Sequence, residues 1–257
     1  MTHAWDHFEA QSYEQVIVSP KGGLSPLEPR ALKWPLLDAS AKAWLDNPER
    51  MALLAETRCS DEIDPLQFDA IYFTGGHAVM WDFPDDAGLQ ALTRAIWEQD
   101  GIVASVCHGY CALLNVRLSD GTKLVAGRDV TGFAWAEEVL AGVARKVPYN
   151  AEAEMKQRGA HYKKALLPFL PYARVDGRLI TGQNPFSAKL TADKIVAALE
   201  AKSRPLIKRK PQTWHLPCDD ERLTYRFIAL AARTFATRAR HTVLKRWQLR
   251  LAQLKEE

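Results

Sequence analysis

The sequence lacks any apolar run that approaches ~18 residues, the length that indicates a transmembrane helix. Its opening stretch, MTHAWDHFEA, has no basic-then-apolar signal pattern. Only four cysteines occur in 257 residues, which does not indicate a disulfide framework. No spacing of Cys and His typical of a metal site is present. We therefore expect a reduced, cytoplasmic protein without a metal site.

Charge is unevenly distributed. Hydrophobic residues make up 47% and charged residues 25% of the chain, a mixture typical of a globular domain with a sizeable core. Residues 1–200 carry 20 Lys and Arg against 26 Asp and Glu, whereas residues 201–257 carry 14 against 5. The change falls in a basic, Pro-punctuated stretch. We predict a domain over 1–200, a linker over 201–218 and a basic tail over 219–257.

Strand-like and helix-like segments alternate through the first part. The strand-like segments are EQVIVS (14–19), FDAIYFT (68–74), IVASV (102–106) and GRLITG (177–182), and the helix-like ones lie at 88–101, 131–142 and 189–201. IVASV has no polar face, as expected for a strand covered on both sides. The pattern predicts an α/β domain with a mainly parallel sheet and helices on both faces.

Residues 24–67 break this alternation with helical pieces and no strand. Such an insertion between two strands is long enough to form a small cap over a substrate site. A surface excursion without a role is the alternative.

Cys107 directly follows the buried strand IVASV and precedes His108, Gly109 and a helical segment. In a parallel α/β sheet, ligands bind at the carboxyl ends of the strands. A tight strand-to-helix turn there projects its side chain above the sheet, and the helix N-terminus favours a thiolate. These features favour a nucleophile over an inert buried cysteine. Cys111, one helical turn later, either resolves an oxidised Cys107 or simply packs.

Gly75 and Gly76 follow the preceding strand in FTGGHAVMWDFPDD. Their backbone N–H groups, with that of His108, are candidates for stabilising an oxyanion formed when Cys107 attacks a carbonyl. A plain turn would use two glycines as well. His77, next in the chain, either lines the pocket or is a solvated turn residue.

Four blocks in order, DAIYFTGGHAVMWDFPDD, IVASVCHGYCALL, LVAGRDVTGFAWAEE and DGRLITGQNPFSA, resemble the class I glutamine amidotransferase-like superfamily. Within it, the chain is most similar to the PfpI branch, in its glyoxalase III and heat-shock chaperone subgroup, over residues 8–200. The resemblance implies a flavodoxin-like three-layer α/β sandwich. It also implies conversion of methylglyoxal to D-lactate without metal or glutathione.

By the same resemblance, Cys107 is the nucleophile, His108 its proton carrier, and Glu138 the acid that orients His108, with Glu137 one place off. A carboxylate holding the distal imidazole N–H fixes the tautomer that such a relay needs. Two acids in the first turn of a helix are also favoured by the helix dipole alone.

The chain departs from the family pattern near its N-terminus. The family's first strand and the glutamate that hydrogen-bonds the cysteine have no counterpart, since Asp6 and Glu9 lie too close to the strand at 14–19. We therefore expect a core strand to be missing and the activity to be weak.

The tail, 219–257, lacks Gly and Pro, and its apolar residues recur at helical spacing opposite a basic face. We predict one long helix, or two, separable from the domain. Three roles are open for this helical tail: it docks on its own core or on a second subunit, it binds a membrane surface, or it binds nucleic acid.

Together with the family resemblance, the sequence predicts a Cys-dependent lyase that acts on small 2-oxoaldehydes and needs no cofactor, with a homodimer expected. A PfpI-type peptidase is a rival. A glutamine amidotransferase is disfavoured because no late His-x-Glu pair occurs. The alternative outside enzymes is a stress chaperone or binding scaffold that keeps the pocket without the chemistry.

Overall fold

The computed structural model describes residues 1–33, 37–203 and the backbone of 226–230. Eight helices and nine strands occur in this part, with short 3-10 turns between them. The helices are α1 (Thr2–Ala10), α2 (Ala39–Leu45), α3 (Pro48–Ala55), α4 (Val79–Asp82), α5 (Ala87–Glu98), α6 (Trp135–Leu140), α7 (Ala151–Gln157) and α8 (Ala188–Ser203). The strands are β1 (Glu14–Ser19), β2 (Arg58–Cys59), β3 (Ala70–Phe73), β4 (Ile102–Val106), β5 (Asp129–Val130), β6 (His161–Tyr162), β7 (Ala173–Asp176), β8 (Leu179–Gly182) and β9 (Arg226–Leu230).

Seven strands form one sheet in the order β2-β1-β9-β3-β4-β8-β7, parallel except for the edge strand β7. β5 and β6 form a separate two-stranded ribbon. All five residues of β4 are buried, so the sheet is covered on both faces. The flavodoxin-like α/β fold predicted from the sequence is confirmed, with β4 near its centre.

Helix α5 shows how the local sequence sets the cover of the sheet. Asp86 caps its N-terminus by accepting a 2.7 Å hydrogen bond from the Leu89 backbone N–H. Leu89, Leu92 and Ile96, spaced by three and four residues, are buried. Helix α1 packs on α8, and α8 packs on β4 and β8.

The insertion at 24–67 folds beside α1 and β1. Trp44 of α2 and Leu54 of α3 form a small core with Trp5 and Ile17. The prediction that this segment has no strand is wrong, because it contains β2, whose two residues pair with β1. Its role in shaping a substrate site stays a prediction.

The tail enters the middle of the sheet. β9 pairs in parallel with β1 on one side, where Val16 faces Ile228, and with β3 on the other, where Ile71 faces the same residue. The prediction of a helix over 219–257 is therefore wrong at 226–230. The expectation of a missing core strand is wrong as well, because the C-terminal segment fills that position.

The linker over 201–218 is helical as far as Ser203. Its remainder, and the tail outside 226–230, lie outside the described residues. Among the residues that the structure does describe, no helix combines the length and apolar character needed to cross a membrane.

Candidate active site

Cys107 occupies the sharp turn at the carboxyl end of β4. Its φ of 56° lies in the left-handed region, which costs a non-glycine residue about 1–2 kcal/mol. A 3-10 helix, Cys107–Leu113, begins at this residue. The turn packs against the end of β3, since a Cβ on Gly109 would lie 2.2 Å from the Phe73 carbonyl oxygen. Strain held by such packing is typical of functional turns.

Three side chains form a continuous relay from this turn. Cys107 Sγ lies 3.3 Å from His108 Nδ1, and His108 Nε2 lies 2.5 Å from Glu138 Oε1. All three residues are at least 90% buried. Because the ionised Glu138 accepts the Nε2–H proton, Nδ1 carries the lone pair and faces the thiol. The arrangement provides a base for the Cys107 proton.

Electrostatics set the resting protonation states. Burial raises the pKa of the Cys107 thiol well above its ordinary value, although the His108 backbone N–H acts in the opposite direction. Burial lowers the pKa of His108, opposed by its hydrogen bond to Glu138. Burial also disfavours the Glu138 carboxylate, but hydrogen bonds from His108 and His77 outweigh it and lower that pKa to about 2. The resting relay is thus thiol, neutral imidazole and carboxylate.

This resting state differs from the sequence expectation. The helix N-terminus was expected to favour a Cys107 thiolate, but burial is the larger influence on the pKa of this thiol. Burial thus favours the protonated thiol in the resting site.

Glu137 points into a different network, although it is adjacent in sequence. It is fully buried and accepts hydrogen bonds from the Phe169 backbone N–H (2.7 Å), Gln183 Nε2 (2.9 Å) and Asn184 Nδ2 (2.9 Å). It also caps α6 through the Ala134 backbone N–H. Glu137 thus ties the start of α6 to the segments around it, and Glu138 alone of the two contacts His108.

His77 lies within the site. Its Nε2 is 3.1 Å from Glu138 Oε2, and its ring centroid is 4.2 Å from that of His108. Its side chain is 25% exposed, compared with 1% for His108, so His77 lies on the solvent side of the relay. His77, His108 and Glu138 each place a ligand atom within 4.8 Å of the others. Sequence spacing could not show this set, because its members come from three separate segments.

Phe133 is a site residue that the sequence reasoning missed. Its ring lies 4.6 Å from that of His108 and 6.1 Å from that of His77. Its backbone N–H donates to the Cys107 carbonyl oxygen at 3.3 Å. It holds both the imidazole and the turn, yet no pattern in TGFAWAEE distinguishes it from a core residue.

Gly75 and Gly76 adjoin the nucleophile as the sequence suggested. A Cβ on Gly75 would lie 2.6 Å from Cys107 Cβ and 3.0 Å from the His108 backbone nitrogen, so only glycine fits. Gly76 has a φ of 126°, which disfavours other residues. Their role in holding an oxyanion stays a prediction.

The acids of α1 are engaged elsewhere. Arg50 donates to Asp6 and to Glu9, both at 2.5 Å, and Asp6 also accepts from Ser40 and Trp44. Neither acid serves Cys107 in this arrangement. Cys111 is fully buried, with burial raising the pKa of its thiol to about 12. That environment favours its reading as a packed residue.

The fold and the position of Cys107 define a class: flavodoxin-like α/β proteins with a cysteine at the turn after a central strand. The chain belongs to the DJ-1/PfpI family, whose profile matches residues 2–198. The family resemblance inferred from the sequence is confirmed.

Several relatives carry glyoxalase names. The chain is 35% identical over 164 residues to the probable glutathione-independent glyoxalase hsp3103 of Schizosaccharomyces pombe, a match that spans 60% of this chain and 63% of that protein. It is 28% identical to Glyoxalase 3 of Candida albicans, over 77% of this chain and 86% of that one.

Solved structures agree in fold. The crystal structure of glyoxalase III from Candida albicans is 27% identical with a TM-score of 0.72, covering 76% of this chain and 84% of that chain. The Rapid Encystment Protein 24 KDa of Francisella tularensis is 30% identical with a TM-score of 0.73, covering 77% and 87%.

Proposed function

We propose that the chain is an enzyme of the glyoxalase III type, which converts a small 2-oxoaldehyde to a 2-hydroxy acid without added cofactor or glutathione. Methylglyoxal and D-lactate are the substrate and product to test first. The observation that carries the proposal is the relay of Cys107, His108 and Glu138 at the strained turn, with contacts of 3.3 and 2.5 Å. The glyoxalase names of several relatives support the same reaction.

The reaction begins with the thiol. As Cys107 Sγ bonds to the aldehyde carbon, its proton moves to His108 Nδ1 and then to the former carbonyl oxygen, giving a hemithioacetal. The Glu138 carboxylate stabilises the transient imidazolium, as in other carboxylate–imidazole pairs. Backbone N–H groups of Gly75, Gly76 and His108 are the proposed donors to the developing oxyanion.

Two further steps complete the balance. His108 removes the hydrogen from the former aldehyde carbon, giving an enediol, and returns a proton to the neighbouring carbon to give a thioester. Water then cleaves the carbon–sulfur bond, releasing the hydroxy acid and restoring the thiol. The net change is addition of one water to the oxoaldehyde, with no external oxidant or reductant.

The activity is expected to be weak. The family resemblance places a carboxyl group beside the cysteine for proton transfer, and the two acids of α1 instead bind Arg50. Loss of one positioned acid–base group lowers the rate by ~10²–10⁴, so the remaining turnover should still be measurable.

The test is a lactate assay on metal-free protein without glutathione, with the product enantiomer read by stereospecific dehydrogenases. Cys107→Ala should abolish turnover, His108→Ala should nearly abolish it, and Glu138→Gln should lower it less. Turnover by Cys107→Ala at the level of the parent protein contradicts the mechanism. Cleavage of a casein substrate with no lactate formed would favour the peptidase alternative instead.

A second candidate function is chaperone or scaffold activity, which one surface favours. Four apolar side chains are exposed on two neighbouring segments: Leu166, Leu167, Leu170 and Phe186. The segments are joined by hydrogen bonds from Asn184 to the Leu170 carbonyl and from the Tyr172 backbone to Ser187. Exposed apolar patches bind partners, including a second subunit of the expected homodimer.

Suppression of client aggregation separates this function from the enzyme. Cys107→Ala should leave suppression unchanged, whereas Leu166→Ser with Leu167→Ser should reduce it. Equal suppression by the patch variant and the parent protein would exclude this surface. The molar mass of the parent protein and of the patch variant, measured by light scattering, tests whether this surface forms the homodimer.

A further inference from the structure

The Glu138 carboxylate lies between two imidazoles. His108 Nε2 contacts Oε1 at 2.5 Å and His77 Nε2 contacts Oε2 at 3.1 Å. Ligand atoms of the three residues all lie within 4.8 Å of one another. The proposed reaction gives His108 and Glu138 their roles but assigns no proton-transfer step to His77. The cluster therefore has a geometry that the reaction alone does not explain.

Two imidazole nitrogens and one carboxylate oxygen are a donor set that suits Zn²⁺. Bond lengths near 2.0–2.2 Å in a tetrahedral site place ligand atoms roughly 3.3 Å apart. His77 Nε2 and Glu138 Oε2, 3.1 Å apart, are already close to that value, whereas His108 Nε2 contacts the other carboxylate oxygen, Oε1, at 2.5 Å. Since one ligand atom of each residue lies within 4.8 Å of the others, shifts of roughly 1–1.5 Å would complete the site. His77, which is partly exposed, gives an ion a route from solvent.

Cys107 is not part of this donor set. Its Sγ lies against Nδ1 of His108, whereas the cluster uses Nε2, on the opposite side of the ring. The fourth position of a tetrahedral ion would therefore be filled by water on the solvent side, as in open zinc sites.

We propose that His77, His108 and Glu138 form an inhibitory Zn²⁺ site. The inhibitory effect, which rests on the proposed function, follows from the tautomer of His108. Zn²⁺ at Nε2 occupies the lone pair of a neutral imidazole, so the ring proton moves to Nδ1. Nδ1–H then donates toward Cys107 Sγ and cannot accept the thiol proton. Bound zinc thus removes the base from the relay without touching the sulfur.

Zinc binding is measured first, independently of activity. Chelator-treated, tag-free protein is titrated with Zn²⁺ against a competing indicator. The parent protein and Cys107→Ala should bind one equivalent with equal affinity. Glu138→Gln and His77→Ala should lose that equivalent or weaken it by at least ~10²-fold, more than loss of an outer-shell partner costs. His161→Ala is the matched control, because His161 is exposed and pairs with Asp129.

Cobalt provides a second readout. Co²⁺ bound by nitrogen and oxygen ligands should give visible bands without the near-ultraviolet charge transfer that a thiolate adds. Loss of the zinc equivalent in Cys107→Ala, a thiolate band with Co²⁺, or unchanged affinity in His77→Ala would each overturn the site.

Activity then separates the two proposals. In an active protein, Zn²⁺ should inhibit lactate formation at concentrations that match its dissociation constant, and chelator should restore the rate. Stoichiometric zinc binding by a protein without turnover would support the metal site and refute the proposed glyoxalase activity. Turnover that is unaffected by saturating zinc would refute the inhibitory role.

Discussion

Glu137 and Glu138 are neighbours in sequence, but their carboxylates serve separate parts of the molecule. Glu138 binds the imidazoles of His108 and His77, whereas Glu137 binds backbone and amide N–H donors of the surrounding segments. Successive helical residues point about 100° apart, so two adjacent acids in the first turn of α6 face different neighbours. Glu138 is placed to orient the imidazole of His108, whereas Glu137 holds the backbone around α6 together.

The two acids should therefore give opposite phenotypes on conversion to glutamine. Glu137→Gln should cost about 2–4 kcal/mol of unfolding free energy, since a fully buried carboxylate loses charge-assisted hydrogen bonds. Glu138→Gln should lower the rate of lactate formation and should cost less unfolding free energy than Glu137→Gln. Urea unfolding and the lactate assay on both variants test this, and a larger stability loss in Glu138→Gln would reverse the assignment.

Gly75 should not tolerate a methyl group. An added Cβ would lie 2.6 Å from Cys107 Cβ, so Gly75→Ala must displace the nucleophile. Misplacement on the order of 1 Å costs about 10²-fold in rate. Gly121→Ala is the control, because a Cβ there meets nothing within 4 Å, so its φ of 82° costs stability locally without displacing the nucleophile. Equal activity of the two variants would show that the turn at Cys107 accommodates the added methyl group without displacing the nucleophile.

Alkylation of Cys107 should accelerate with pH without an early plateau. Burial raises the pKa of this thiol, so the thiolate fraction keeps growing through the ordinary range of thiol titration. Iodoacetamide labelling from pH 6 to 9.5, followed by peptide mass spectrometry, gives the profile. A plateau below pH 8 would instead indicate a thiolate stabilised at rest.

The same raised pKa affects stability above pH 9. The folded chain retains the Cys107 proton where the unfolded chain loses it, so this group's contribution to stability falls as pH rises past the ordinary thiol pKa. The decline should be smaller in Cys107→Ala, in which only the raised pKa of Cys111 remains of the two buried thiols. Urea midpoints of the two proteins at pH 8 and pH 10 measure the difference.

Strand β9 should be essential for the fold. Ala229→Pro removes a backbone donor from a strand paired on both sides, where proline is not tolerated, and should cost about 3 kcal/mol. Ala229→Gly keeps the donor and should cost about 1 kcal/mol. A chain ending at Ser203 should lose cooperative unfolding. A sharp transition in that truncated chain would restore the separable tail predicted from the sequence.

The sequence was informative where local chemistry and tertiary position agree. IVASV indicated both a buried strand and the place of Cys107, and the spacing of Leu89, Leu92 and Ile96 indicated α5. It was misleading at RFIAL, where apolar residues at helical spacing form a strand because β1 and β3 offer pairing partners. Short apolar runs take the conformation that their neighbours supply.

The relay shows a similar division. Cys107 and His108 are adjacent, so their pairing is readable from a short stretch of sequence. The family resemblance already favoured Glu138 over Glu137, and the structure adds that only Glu138 of the two contacts His108. Phe133 could be recognised only from the packing around His108. The cluster of His77 with the relay arises from segments that meet only in the folded sheet.

The position of β9 also has a consequence during synthesis. β1 ends at Ser19, and the strand that separates it from β3 ends at Leu230. At ~5–20 residues per second, the ribosome needs about 10–40 s to make the chain between them. Until β9 is made, β1 and the later strand β3 lack the partner that lies between them in the folded sheet, and unpaired strand edges favour aggregation. Newly made protein should therefore depend on holding factors until β9 emerges.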